Sequence, residues 1–287
     1  MNEKITIGDY LDRAQQRLRK SGCSDSPSLE AQWIIEKATG LHRSEFLTHP
    51  EVTPSAEAIG DSDNMIDAVI AGEPLPYVLG DWSFCGNSFI VSPAVLIPRP
   101  ETELLVVRAV RWIRENPQAR LFADIGTGSG CIAVSILKLL SNPQIQGIAS
   151  DISRSALKVA RKNIKNHQLQ NRLMLIQGSL ADALAGSFDL ICANLPYIPS
   201  GRCAELPVAQ HEPLIALDGG ADGFDYYREF LTNLKGKMAQ RALIICEIDF
   251  TQKKLAADFA AECFPDARIT IEKDYAGLSR ILMIQIG

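Results

Sequence analysis

The chain has no Cys-x-x-Cys pair, no apolar run approaching the length of a bilayer span, no surplus of basic charge and no internal repeat. Each absence excludes something. Its seven cysteines are scattered and odd in number. That argues against a zinc site or a disulfide framework and for reduced thiols in a cytoplasmic protein, with no metal expected. No segment comes near the ~20 apolar residues that cross a membrane. The opening Met-Asn-Glu-Lys-Ile-Thr lacks the apolar centre of a secretion signal. A net charge of −5 gives no reason to expect tight duplex binding. Histidine is limited to four residues, of which His42, His49 and His167 stand alone and read as surface positions. What is present is 46% hydrophobic and 22% charged over 287 residues, the profile of a soluble globular protein of one large domain or two ordinary ones.

The first 75 residues read as helices. Ile7, Tyr10, Leu11, Ala14 and Leu18 recur at helical spacing and Gly22 follows as a stop. Ser26-Pro27 looks like a cap with proline at the first helical position, and the apolar stripe after it ends at Gly40. Thr53-Pro54 repeats that start signal, with Ile59, Ile66, Val69 and Ile70 as the face. No chemistry is visible in this stretch. Gly72 to Pro76 reads as a proline-stiffened linker, and the Trp82–Val91 segment as a β-hairpin with Gly86-Asn87 in its turn. Arg99 then stands between Pro98 and Pro100. Arg99 and Glu103 either pair with each other at a helix start or lie over a ligand pocket.

From Leu121 strands and helices alternate. Strands are expected at 121–125, 145–150, 173–176, 188–193, 242–247, 269–272 and 281–286, with helices through Leu140, to about His167, over Tyr226–Leu234 and through about Cys263. Such βα units imply a mostly parallel, doubly wound sheet covered on both faces. The stretch Phe188 to Ile198 organises the rest. Leu190 to Ala193 is a buried strand, and Pro196 cannot continue a ladder, so Asn194 sits at a strand's carboxyl end, where open α/β sheets bind ligands. Asn194 Oδ1 beside the Leu195 carbonyl offers two acceptors to a planar NH2 group, and Tyr197 offers a flat wall. Taken alone, Asn-x-Pro-Tyr is equally an ordinary strand exit.

Asp124-Ile-Gly126-Thr127-Gly128-Ser129-Gly130 joins the first strand of the alternation to its helix. The third glycine comes one position early for a dinucleotide fingerprint, and no Gly-Lys-Ser/Thr follows, so neither NAD nor a P-loop nucleotide fits. Asp124 suits an ammonium group, and Asp151, ending the next strand, suits the hydroxyls of a ribose. A cationic nucleoside with a free amino-acid end fits both, and S-adenosylmethionine is the candidate cofactor.

With these residues in hand the chain resembles the HemK/PrmC family of protein-(glutamine-N5) methyltransferases, which modify the Gly-Gly-Gln motif of class I peptide chain release factors. The resemblance spans the helical start, Gly72-Glu-Pro-Leu-Pro-Tyr77, Val91 to Glu103, Asp124 to Gly130, Asp151, Asn194 to Ile198, His211-Glu-Pro-Leu214 and Asp274-Tyr-Ala-Gly277. Its most specific part is Ile97-Pro-Arg-Pro-Glu101. It implies a class I methyltransferase fold, Rossmann-like, with three parts: residues 1–75 as a helical substrate-recognition domain, 76–98 as a linker with the hairpin, and 99–287 as the methyltransferase domain. It also implies a cytoplasmic enzyme, acting as a monomer on release factors without stable nucleic-acid binding. Gly126 to Gly130, Asp151, Ser179, Leu180 and Asn194 would hold the cofactor. Asn194, Leu195, Pro196 and Tyr197 would hold the glutamine and carry catalysis, with Arg99 and Glu103 on the substrate side. Two positions depart from the family pattern. Leu195 stands where proline is usual, a change worth up to ~1 kcal/mol of loop ordering. Gly178-Ser179-Leu180 stands where an aspartate usually faces the adenine amine. His211 lies in the long 199–223 loop and reads as loop structure ahead of a base. Two other readings are an adenine-N6 nucleic-acid methyltransferase and a cofactor-binding protein without catalysis.

Overall fold

The structure, a computed structural model, describes residues 5–287; the first four residues of the N-terminal reading lie outside them. The chain divides into two compact units, Met1–Gly80 and Asp81–Gly287.

The first unit holds α1 (Ile7–Ser21), α2 (Pro27–Thr39), α3 (Arg43–Thr48), α4 (Ala56–Ile70) and α5 (Leu75–Leu79). The Thr6 hydroxyl caps α1 by accepting from Asp9 N at 3.2 Å, and Gly22 ends it at φ 69°. The buried face of α1 is Ile7, Tyr10, Leu11, Ala14 and Leu18, the stripe read from the sequence. The Tyr10 hydroxyl reaches Asp63 of α4 at 3.0 Å, and Arg17 pairs with Asp63 and Asp67. Helix α4 begins later than Thr53-Pro54 suggests: the Ser55 side chain makes the cap, accepting from Ala58 N at 3.1 Å. The segment read as a proline linker instead closes this unit as α5, whose first turn tolerates Pro76 because helical N-termini leave their N–H groups unbonded anyway.

The second unit opens with β1 (Asp81–Phe84) and β2 (Asn87–Ile90), then α6 (Glu103–Glu115), β3 (Leu121–Ile125), α7 (Cys131–Leu139), β4 (Gln146–Asp151), α8 (Arg154–Asn166), β5 (Leu173–Gln177) and β6 (Phe188–Ala193). It continues through α9 (Ser200–Cys203), α10 (Asp225–Asn233), β7 (Met238–Glu247), α11 (Lys253–Cys263), β8 (Arg268–Lys273) and β9 (Ser279–Ile286). Seven strands form one sheet in the order β5-β4-β3-β6-β7-β9-β8, parallel from β5 to β7, with β9 antiparallel to both β7 and β8. Alternation along each strand feeds two cores. Phe122, Leu190 and Ile245 face α6 and α7, whereas Ala123, Ile191 and Ile244 pack with Phe224, Phe230 and Ala256.

The hairpin belongs to this unit. Its two-residue turn is Cys85-Gly86, both at positive φ (47° and 70°), and Asn87 is already paired with Phe84. Phe84 and Phe89 are buried in the sheet's core. Asn163 of α8 imitates a strand rung, accepting from Ile90 N at 2.7 Å and donating to Ile90 O at 3.0 Å. The same amide donates to Ser129 O at 2.8 Å, which ties the hairpin to the glycine loop.

Candidate active site

The chain runs outward from β3 through β4 to β5, then returns to place β6 on the other flank of β3. That reversal leaves a crevice at the carboxyl ends of β3 and β6, where neighbouring helices diverge. A cleft with about 1080 Å³ of empty space, its open mouth included, lies there. Its walls bring together Arg99, Thr102, the Gly126–Ser129 loop, Asp151, Ser179-Leu180 and Asn194 to Pro196.

Gly126 and Gly128 take φ of 69° and 56°, conformations a side chain would strain. A Cβ on Gly126 would also meet Leu195 Cδ2 at 3.1 Å, a tight approach that would push on the Asn-Leu-Pro segment. Gly128 N donates to Asp151 Oδ2 at 2.9 Å, and Ser153 N to Oδ1 at 2.8 Å. Burial raises the Asp151 pKa, and these two amides partly offset it. A lone pair on each oxygen remains for a ligand hydroxyl. Leu180, at φ 42°, is a strained non-glycine residue on the cleft wall.

Four residues expected in the cleft lie elsewhere. Asp124 is fully buried behind the loop, where Oδ2 accepts from the Thr127 hydroxyl at 2.6 Å and from Ala133 N at 3.2 Å. It braces the loop against α7, and its Oδ1 has no partner among the described residues. Burial lifts its pKa to about 6. Gly130, at φ 82°, starts α7 and lies 3.4 Å, measured from an added Cβ, from Ala160 Cβ; it serves helix packing. Glu103 faces the hairpin and accepts from Cys85 N at 2.7 Å. It does not pair with Arg99, whose partner is Glu212. Glu212 is buried and also accepts from Ile97 N at 3.0 Å, pinning the Pro-Arg-Pro segment to the long loop. Tyr197 does not line the cleft; its hydroxyl donates to Glu247 Oε1 at 3.0 Å.

Asn194 does face the cleft. Its Nδ2 donates to Thr102 Oγ1 at 3.1 Å, and Thr102 in turn donates to Glu247 Oε2 at 2.7 Å. Among the described residues no hydrogen bond engages the Leu195 carbonyl oxygen. The Leu195 amide donates to the Tyr227 hydroxyl at 3.0 Å, and that hydroxyl in turn donates to the Glu247 carbonyl. Beyond the segment, Ile198 N donates to Leu217 O at 3.1 Å and Gly219 N to Ile198 O at 2.8 Å, while Gln252 Nε2 holds Tyr197 O at 3.1 Å and Gly223 O at 2.8 Å. The long loop is thereby fastened at its root, and its Pro213, Ile215 and Ala216 cover the cleft. His211 does not line it.

Thr102, Glu247, Glu212 and Tyr227 were not singled out from the sequence. Thr102 and Glu247 are 145 positions apart, and only the pairing of β6 with β7, Ala193 opposite Cys246, brings Glu247 beside Asn194.

A family model described as the PrmC N-terminal domain matches residues 9–80, and one described as the methyltransferase small domain matches residues 102–211. A release factor glutamine methyltransferase of Moorella thermoacetica is 37% identical over 281 residues, covering 97% of this chain and 98% of that protein. One from Bradyrhizobium diazoefficiens is 42% identical over 248 residues, covering 84% and 82%. Among solved structures, the hMettl16 catalytic domain shares the fold at a TM-score of 0.54 and 15% identity, over 70% of this chain and 76% of that one. The sheet order, the glycine loop and the Asn194 segment at the switch point define a class I S-adenosylmethionine-dependent methyltransferase. Within that class, the chain belongs to the release factor glutamine methyltransferase family.

Proposed function

We propose that this enzyme transfers a methyl group to the side-chain amide nitrogen of the glutamine in the Gly-Gly-Gln motif of a class I release factor. What carries the reading is that Asn194 and Leu195 line the cleft of a chain of this family, with the Asn194 Nδ2 already donating to Thr102, which leaves Oδ1 and the Leu195 carbonyl as neutral acceptors. The walls fit S-adenosylmethionine: Asp151 suits a ribose, the glycine loop admits close backbone approach, and Ile152 with Leu180 supplies apolar wall for a planar base. When bound, S-adenosylmethionine supplies an electrophilic methyl on a sulfonium.

The residues have a limited task. An amide nitrogen is a weak nucleophile because its lone pair is delocalised. Asn194 Oδ1 and the Leu195 carbonyl accept its two N–H bonds and aim the nitrogen, and both bonds strengthen as that nitrogen turns positive. Holding reacting atoms in a near-attack geometry is worth up to roughly 7–11 kcal/mol. The chain would need to supply no general base, since the C–S bond would break as the C–N bond forms and the surplus proton could leave to water.

The helical unit, matched over residues 9–80, is proposed to recognise the release factor. Seven free cysteines support a reducing compartment, and we place the enzyme in the cytoplasm, acting as a monomer. Among the described residues no helix is long and apolar enough to cross a membrane. Incubating a purified release factor with enzyme and S-adenosylmethionine, then sequencing its peptides by mass spectrometry, tests the reading. The Gly-Gly-Gln peptide should gain the mass of one CH2 on glutamine. An unmodified peptide, or methylated adenine in an oligonucleotide control, would overturn it.

A further inference from the structure

We propose that Thr102 is a positioning residue for the transfer, fixing which end of the Asn194 amide faces the cleft. The inference rests on the methyltransferase reading and concerns a difficulty that reading leaves open. The two ends of an asparagine amide are nearly the same shape. A half-turn about its last bond replaces the acceptor with two donors and changes nothing else. Facing a substrate NH2, the turned amide would set donors against donors.

The orientation follows from proton counting. Glu247 ends β7 with 1% of its surface exposed; burial raises its carboxyl pKa, while the bonds from Thr102 and Tyr197 and the nearby Arg280 charge favour the ionised form, in which both oxygens only accept. Oε1 takes the proton of the Tyr197 hydroxyl at 3.0 Å and Oε2 takes that of Thr102 at 2.7 Å. Each hydroxyl owns one proton, so Thr102 has only lone pairs left for its other neighbour. That neighbour is Asn194, which must therefore present Nδ2, as it does at 3.1 Å. Oδ1 is left for the cleft. The opposite rotamer would press Oδ1 against the lone pairs of Thr102, losing a buried hydrogen bond and adding repulsion. Three features hold Thr102 in place: it is buried, it lies in the one-turn helix Pro100–Thr102 before α6, and its β-branch restricts χ1. The order of donation therefore runs from Asn194 to Thr102 to Glu247, with Tyr197 donating to the far oxygen.

Thr102→Val keeps the shape and removes the acceptor; Thr102→Ser keeps the acceptor. With a release factor as substrate, Thr102→Val should lower kcat by roughly 10- to 100-fold, the weight of one buried unpaired N–H group, and leave the calorimetric Kd for S-adenosylmethionine unchanged. Thr102→Ser should restore most of the loss. A second readout needs no turnover. In 15N-labelled enzyme, the Asn194 side-chain NH2 signals, assigned by their absence in Asn194→Ala, should show one exchange-protected proton in the wild type and in Thr102→Ser, and none in Thr102→Val. If the wild type methylates nothing, the functional reading fails while the NMR comparison still decides the amide's orientation. Wild-type kcat in Thr102→Val, unchanged protection there, or Thr102→Ser falling as far as Thr102→Val would overturn the proposal.

Discussion

The amide of Leu195 donates to the hydroxyl of Tyr227 at 3.0 Å, inside a segment where Leu195 is 3% exposed. Proline, usual at this position in the family, has no N–H to satisfy. Leucine brings one into a buried place, where an unpaired donor costs about 1–3 kcal/mol. Tyr227 accepts it and, through its own proton, fastens it to the end of β7. The rigidity a proline ring would supply is thus supplied by a hydrogen bond.

Tyr227→Phe should therefore destabilise the enzyme by about 2–4 kcal/mol, combining the orphaned Leu195 amide with the lost bond to Glu247 O. In a Leu195→Pro background the same change should cost less by about 1 kcal/mol or more, since no amide remains to be orphaned. Urea denaturation of the four proteins measures the coupling. Strict additivity would show that the contact carries no energy.

Asn194→Ala should abolish methyl transfer while leaving S-adenosylmethionine binding nearly intact, because Asn194 is proposed to supply the acceptor for the substrate amide and Asp151 with the glycine loop to hold the cofactor. Turnover under saturating cofactor, set beside calorimetry, separates the two effects; near-normal turnover would remove Asn194 from the mechanism.

Asp151→Ala should act the other way. It removes the acceptor proposed for the ribose and releases Gly128 N and Ser153 N, which it now fixes at 2.9 and 2.8 Å. Cofactor affinity should fall by about 10- to 100-fold, the weight of a charge-assisted bond, with a smaller effect on kcat. Unchanged affinity by calorimetry would count against the assignment.

Asp124 gives a pH signature. Its folded-state pKa of about 6 lies above the ordinary 3.8 because burial disfavours the charge. The folded state then binds more protons than the unfolded one between these values, so stability falls as pH rises through the window and levels off above it. Asp124→Asn has no charge to bury and can keep both accepted bonds. Its loss of stability between pH 4 and 6 should be smaller than the wild type's by an amount on the order of 2–3 kcal/mol. Parallel pH slopes in the two proteins would refute the account.

Much of the fold was legible because its signals are local. Strands 121–125 and 188–193 coincide with their apolar runs, and the buried stripe of α1 is the one its spacing gives. Helix α3 is six residues, too short for periodicity, and its cap is the atypical His42. Helix α5 was hidden by prolines that read equally well as a hinge. At the site, glycine loop, Asp151 and Asn194 were legible as motif residues at strand ends. Thr102, Glu247 and Tyr227 were not, since their roles arise from strand pairing and from hydroxyl protons, neither of which a linear pattern records. Asp124 misled for a related reason: a carboxylate at a strand end looks the same in sequence whether it faces a ligand or the back of the loop beside it.

The rungs joining Ile198 to Leu217 and Gly219 bear on how molecules enter and leave. With Gln252 also holding both Tyr197 and Gly223, the two ends of the covering span are tied to each other and to the residue just before α11. Ile215, on the cleft wall, and its neighbour Leu214 are both more than half exposed. Side-chain rotations at that exposed stretch are faster events than any backbone opening would be.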